Sequence, residues 1–373
     1  MAGLRPFKLE RHFALHEFSV KHNLAASDCE PLSQAGLLEL ADEGTGRLWD
    51  ELRLGYTESQ GAPFLREEIA GLYRDTGPDD ILVCAPVEGI FLVMNGLLES
   101  GDHVICAFPG YQALYEVARS MECDVEMWPA DERQGWRFDP KWLEDHVRPD
   151  TRLIVTNFPH NPTGWLPGAP DLARVVEVAS AASALLLSDE MYRFTERDPA
   201  NTLPAACDLS DRAVSLGGMS KAFGMPGARI GWLATRDPGI MERLRTVKDY
   251  TSICSSAPGE VLATIALKSK EKILERNMAL IEKNLERLDY FFDKHPSLFY
   301  WDRPAAGTVA FPRLLGGHDA AGLCEGLARE AEVLLLPSQV FDYGAEHVRF
   351  GFGREGLDEA LLALEKYIVT HGL

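Results

Sequence analysis

No two cysteines in this chain are spaced as a metal knuckle or a redox pair. The seven, Cys29, Cys84, Cys106, Cys123, Cys207, Cys254 and Cys324, are scattered and odd in number. That argues against a disulfide framework or a cysteine-based zinc site and suits a reducing compartment. Positive charge is also scarce: 37 Lys and Arg stand against 57 Asp and Glu, a net charge of −20. Such a surface repels phosphate backbones and anionic lipid, so neither nucleic acid nor a membrane is the expected partner, while a local basic pocket for a small anion is still allowed. No apolar run approaches the ~18 residues of a membrane span. The opening stretch, MAGLRPFKLERHF, is charged where a signal peptide has its apolar core. The expected compartment is the cytoplasm. Repeats and low-complexity tracts are absent.

What the 373 residues do contain is a procession of short apolar runs separated by helix-length segments. The runs are His103–Phe108, Arg152–Phe158, Ala184–Glu190, Ala213–Gly218 and Arg229–Ala234. Runs apolar on both faces and alternating with helical patterns predict a mostly parallel sheet with helices on both sides. Helical spacing marks Ala62–Thr76, Pro109–Met121 and Pro170–Ala182. Beyond Asp237 the texture changes: a long charged helix (Lys270–Asp293), apolar runs at Val333–Pro337 and His347–Gly353, and a last helix from Gly356. These features predict an N-terminal segment (1–43) packing on a small domain, a large α/β domain (44–240) and a smaller α+β domain (241–373).

In open α/β sheets ligands bind outside the carboxyl ends of the strands, and the chemistry-bearing residues fall there run after run. Tyr111 follows the first run through Pro109-Gly110, and Asn161 sits in NFPHNPTG after the second. Asp189 and Tyr192 end the third, and Ser220 and Lys221 follow the fourth, with Arg229 eight residues on. Each has a plain structural account by itself: a solvated lysine, a capping aspartate, a turn-forming NPTG, a core tyrosine. Four loops converging on one sheet edge describe a site instead.

These residues carry a resemblance. GYTESQGAPFLREEIA, FPGYQALY, NFPHNPTG, SDEMYRF, SLGGMSKAFGMPGARIGW and VRFGFGR, in this order, resemble the class I/II aminotransferases of pyridoxal 5'-phosphate (PLP) fold type I, over about Leu54 to Arg354. The resemblance implies a three-layer α/β/α fold, bound PLP, an amino acid and a 2-oxo acid as substrates, and a homodimer. It implies that Lys221 is the Schiff-base lysine and proton shuttle, and that Asp189 is the carboxylate pairing the pyridine nitrogen. Asn161 and Tyr192 resemble the donors to the ring's phenolic oxygen, and Tyr111 the aromatic stacked on the ring. Ser220 and Arg229 resemble phosphate ligands, Tyr56 a phosphate ligand from the neighbouring subunit, and Arg349 the arginine that grips the α-carboxylate, beside Asn161.

The departures are specific. The family's small-residue phosphate turn is here Ala85-Pro86-Val87, and the position three before the lysine is Gly218. Proline has no N–H and neither valine nor glycine has a hydroxyl, which leaves Val87 and Glu88 only backbone N–H groups at a helix start. Ala26-Ser27 stands where many relatives have a glycine. Family N-terminal segments cover the entrance, which draws attention to Phe18, His22 and Asn23, although packing or a solvated loop accounts for them as simply. The expected reaction is transfer of an α-amino group. Elimination at the β or γ carbon, or cyclisation of a modified arginine, would use the same fold and lysine. A PLP-sensing regulator fits less well, because the chain shows neither a helix-turn-helix segment nor a basic surface.

Overall fold

The computed structural model describes residues 3–373; the first two residues of the N-terminal segment lie outside the described residues. Seven strands form the main sheet: β1 (Ile81–Cys84), β2 (His103–Phe108), β3 (Asp124–Pro129), β4 (Thr151–Asn157), β5 (Leu185–Asp189), β6 (Ala213–Gly218) and β7 (Gly231–Ala234). Their spatial order is β1-β7-β6-β5-β4-β2-β3. β7 runs antiparallel to both of its neighbours and the remaining pairings are parallel. All five apolar runs singled out in the sequence are strands of this sheet. Two strands have no such signal. β1 is only four residues long, and β3 is an edge strand whose outer positions are partly exposed, so its apolar residues alternate with Asp124 and Glu126.

The period-two alternation of the strands builds a three-layer α/β/α body. Leu82, Val104, Cys106, Leu153, Val155 and Leu187 face one side. There they meet the buried stripe of a helix at Pro86–Leu97 and that of another at Ala113–Ser120. Ile105, Ile154 and Leu186 face the other side, against Leu172, Val175 and Ala179 of a helix at Ala169–Ala181. Pro109-Gly110 delays the start of the helix at Ala113, leaving Tyr111 on the loop ahead of it.

A second core lies between the long helix Lys270–Lys294 and the final helix Leu357–His371, closing on Phe299, Val348 and Phe350. Its sheet is three antiparallel strands, β8 (Val309–Ala310), β9 (Leu336–Pro337) and β10 (Val348–Gly351), in the order β8-β10-β9. The helices Pro238–Lys248 and Ala257–Lys268, placed by texture with this second body, pack on the large sheet instead. Ile240 and Leu244 join one face, and Val261 and Ile265 join the other. Both helices thus pack with the large sheet rather than with the second core.

The N-terminal segment spans both bodies. Leu24 and Cys29 enter the second core, Leu32 and Leu38 pack on the large one, and His22–Asn23 pair with Val333–Leu334. Residues 24–30 are laid directly on the backbone of β10 and the turn after it. Gly351 N–H donates to Leu24 O, and Glu30 N–H to Gly353 O at 2.8 Å. A Cβ on Gly351 would run into the Ala26 carbonyl, and one on Gly353 into that of Asp28. Gly351→Ala should therefore cost about 2–3 kcal/mol, the overpacking range, read as a lower midpoint in chemical denaturation. Gly46→Ala, on a helix where a Cβ meets nothing within 4 Å, should be neutral or slightly stabilising. Equal midpoints for the two variants would refute the close approach.

Candidate active site

The ends of β4, β5 and β6 and the loop after β2 open on a cavity of about 490 Å³. Tyr111, Asn161, Asp189, Tyr192, Ser220, Lys221, Arg229, Arg349 and Val87 all line it. Two of the residues expected to bind cofactor do not. Tyr56 lies outside it, 92% exposed. Glu88 turns its carboxylate away, accepting the Ala85 N–H at 3.1 Å, the Thr251 hydroxyl at 2.6 Å and the Ser252 N–H at 3.2 Å. That carboxylate caps its own helix and fastens a neighbouring loop, so Glu88 has only its backbone N–H to offer a ligand.

Asp189 ends β5 and is buried. One oxygen accepts the Met191 N–H at 3.1 Å, and among the described residues no cation is ion-paired with it. Burial, opposed by that bond and by the charge of Lys221, pushes the carboxyl from the usual 3.8 up to about 7. Asn157 ties the neighbouring strand ends together: its amide donates to Asp189 O at 3.2 Å, and its oxygen accepts the Asn161 N–H at 2.9 Å. Asn161 in turn accepts from Arg349 Nη1 at 3.0 Å, while Arg349 Nη2 donates to Ala25 O at 2.8 Å. His160, held neutral by burial with its pKa down to about 3, bonds Pro109 O and Thr163 Oγ1 at 2.7 Å each. It thereby joins the Tyr111 loop to the Asn161 loop.

Several buried polar atoms have no partner: Ser220 Oγ, Tyr192 OH and Arg349 Nε. Buried groups of this kind are ordinarily satisfied, and three on one cavity wall mark the place of a polar ligand. Arg229 is held in the left-handed region at φ 55°, with Nη1 on Pro226 O at 3.0 Å. Pro86 explains Gly218. A Cβ at Gly218 would stand 3.1 Å from Pro86 Cγ and 3.0 Å from Met191 Sδ, so the ring of Pro86 occupies the room a side chain there would need.

Other wall residues carry no motif signal. Lys221 Nζ donates to Ser27 Oγ at 2.7 Å. Asp28 holds Arg354 by two bonds of 2.9 and 2.8 Å. Helix α1 (Lys8–His16), its C-cap Glu17 and the preceding Phe7 close the entrance. Tyr111 OH donates to Glu10 at 3.0 Å, and Phe7 packs on the Tyr111 ring at 4.9 Å. Phe18, His22 and Asn23 are not on the wall: Phe18 is exposed, and Asn23 turns its oxygen to the Ala25 N–H. Helical spacing groups Glu10, Phe13 and Glu17 on one face, but no signal in the sequence turns that face toward the site.

A strand-end lysine and aspartate in this three-layer fold define a PLP-dependent enzyme. The chain belongs to the aminotransferase class I and II family, whose model matches residues 20–364. It is 28% identical to capreomycidine synthase of Streptomyces vinaceus over 99% of this chain and 94% of that protein. It is 26% identical to a probable aspartate aminotransferase of Methanocaldococcus jannaschii over 91% of this chain and 93% of that one. Among solved structures it resembles a PLP-dependent aminotransferase from Streptococcus suis, with TM-score 0.92, 31% identity and 98% of each chain covered. It also resembles the PLP-dependent cyclase OrfR, with TM-score 0.89, 26% identity and 98% of each chain covered. PLP is the cofactor of this family. The residues present suit it: an amine for its aldehyde, a buried carboxyl lacking a cation, and unpartnered hydroxyls.

The buried carboxyl gives a test by pH. Its native pKa is raised, so the native state holds a proton that the unfolded chain has lost. Stability is complete below the unfolded pKa near 3.8 and falls as pH rises toward about 7. In protein stripped of cofactor, Asp189→Asn should therefore gain on the unsubstituted chain in melting temperature across that window. The gap should level off above it. A gap independent of pH would mean that Asp189 is not held neutral.

Proposed function

We propose that the protein is an aminotransferase that moves the α-amino group of an amino acid to a 2-oxo acid, with Lys221 as the residue that bonds the cofactor. PLP, when bound, supplies an aldehyde for amines and a ring that accepts electrons released at the substrate Cα. Asp189 would pair with the ring nitrogen, its carboxylate keeping a proton on that atom. This arrangement also relieves the cost of burying the carboxylate alone. Arg229, Ser220 and the N–H groups of Val87 and Glu88 hold the phosphate, with Arg229 as the bidentate member. Asn161 and Tyr192 donate to the phenolic oxygen, and Tyr111 covers the ring face. Arg349, oriented by Asn161 and Ala25 O, grips the α-carboxylate. The Lys221 amine would be the base that takes up and returns the substrate Cα proton. The observation that carries the reading is the meeting in one cavity of a buried carboxyl without a cation and a lysine amine.

The working unit in this reading is a cytoplasmic homodimer in which the partner's copy of Tyr56 completes the phosphate site. The exposure of Leu54, Tyr56, Tyr250 and Ile253 supports such a face. Light scattering should report a dimer, and a monomer still active at assay concentration would refute the shared site.

The similarity to capreomycidine synthase and to a cyclase favours a second reading, ring closure on an amino acid with the same lysine and cofactor. The two readings part on the fate of nitrogen. In stopped-flow mixing with an amino-acid panel, transfer converts the cofactor to its amine form until a 2-oxo acid is added. Ring closure returns the aldehyde form without one. Borohydride should fix the pyridoxyl group on the Lys221 peptide under either reading, and a label on another lysine would defeat both.

A further inference from the structure

The cavity has carboxylates beyond the one at its floor. On the reading above, Lys221, Asp189, Ser220 and Arg229 serve the cofactor and Arg349 the α-carboxylate. Of the other charged groups on the wall, Asp28 and Arg354 satisfy each other through two bonds. That leaves Glu10 and Glu17, neither of them ion-paired among the described residues. They are seven residues apart on α1 and its C-cap, which puts them on one helical face, and Phe13 lies between them on the same face. Glu10 uses one oxygen to accept from Tyr111 OH and has the other free.

A chain of net charge −20 carries surface carboxylates everywhere, so two acids at an entrance mean little alone. These two differ by lining the cavity together with Arg349, whose Nε is buried and unpartnered. The cavity thus combines a site for an anion with two carboxylates that make no ion pair among the described residues, Arg354 reaching Glu17 only by its charge. Burial, with Asp28 and Glu10 adding to it and Arg354 opposing it, raises the Glu17 carboxyl above its usual range, as expected of an acid that lacks its cation.

We infer that the substrate is an amino acid with a cationic side chain, a guanidinium or an ammonium group, received by Glu10 and Glu17 over the face of Phe13. The α-carboxylate goes to Arg349 and the distal cation to α1, so both ends of the substrate are charge-matched. A guanidinium can bridge two carboxylates and stack on a ring at once. A side-chain carboxylate would meet two like charges.

Ligands without an α-amino group test this binding with no turnover. Calorimetry on the holoenzyme should compare δ-guanidinovalerate, its neutral isostere δ-ureidovalerate, and glutarate. Hydrogen bonds to charged groups are strong enough that the guanidino acid should bind about tenfold or more tighter than the ureido acid, with glutarate weakest. Glu17→Gln should bring the guanidino-to-ureido ratio down to about threefold or less, and should leave ureido binding unchanged. Adding Glu10→Gln should abolish the preference. Equal affinities, tighter glutarate, no measurable binding of the guanidino acid, or a ratio unmoved in both variants would each overturn the inference. Retention of cofactor on Lys221 is scored separately, so absence of the preference in unsubstituted protein that keeps its pyridoxyl label sinks this inference alone.

Discussion

A carboxyl group buried at the end of a central strand is the constraint around which the rest is arranged. Asp189 is brought there by β5, whose three leucines are covered by helices on the two faces of the sheet. Burial disfavours its ionised form, and the bond from Met191 N–H, the charge of Lys221 and the Asn157 amide only partly offset that. A ligand with a protonated ring nitrogen removes the penalty, so the same burial that makes the empty site unfavourable gives the cofactor its hold. Asn157 connects this strand end to the Asn161 loop, and Asn161 passes the order on to Arg349.

The N-terminal segment is the second support. It lies on β10 at a distance only glycine permits, at Gly351 and Gly353. From there Ala25 O holds Arg349, Ser27 holds Lys221 and Asp28 holds Arg354. Helix α1 then turns back over the entrance, with Glu10 on Tyr111. One stretch of chain thus orients the Arg349 guanidinium, the Lys221 amine and the outer wall together. A change in its seating would be felt at all three.

The large sheet was legible because its strands are covered on both faces and read as continuous apolar runs. β1 and β3 were not, being respectively too short and at a half-exposed edge. The strand-end residues were legible because motif and loop position coincide, as at Asn161, Asp189 and Lys221. Tyr56 could be singled out by pattern, but one chain leaves it outside the cavity. The covering wall was illegible for a different reason. Glu10, Phe13 and Glu17 form an amphipathic stripe like any other, and only tertiary packing turns that stripe toward the site. The Pro86 and Gly218 departures looked independent in sequence, yet they are one steric exchange, ring for side chain.

The central claim is that Asp189 keeps a proton on the cofactor's ring nitrogen. Nitrogen-15 NMR of holoenzyme carrying ring-labelled PLP reads that proton directly. The account predicts a protonated-nitrogen shift that stays constant as pH rises through 7 and beyond, and a neutral-nitrogen shift in Asp189→Asn. A neutral ring nitrogen in the unsubstituted enzyme, or the same shift in both proteins, would contradict it.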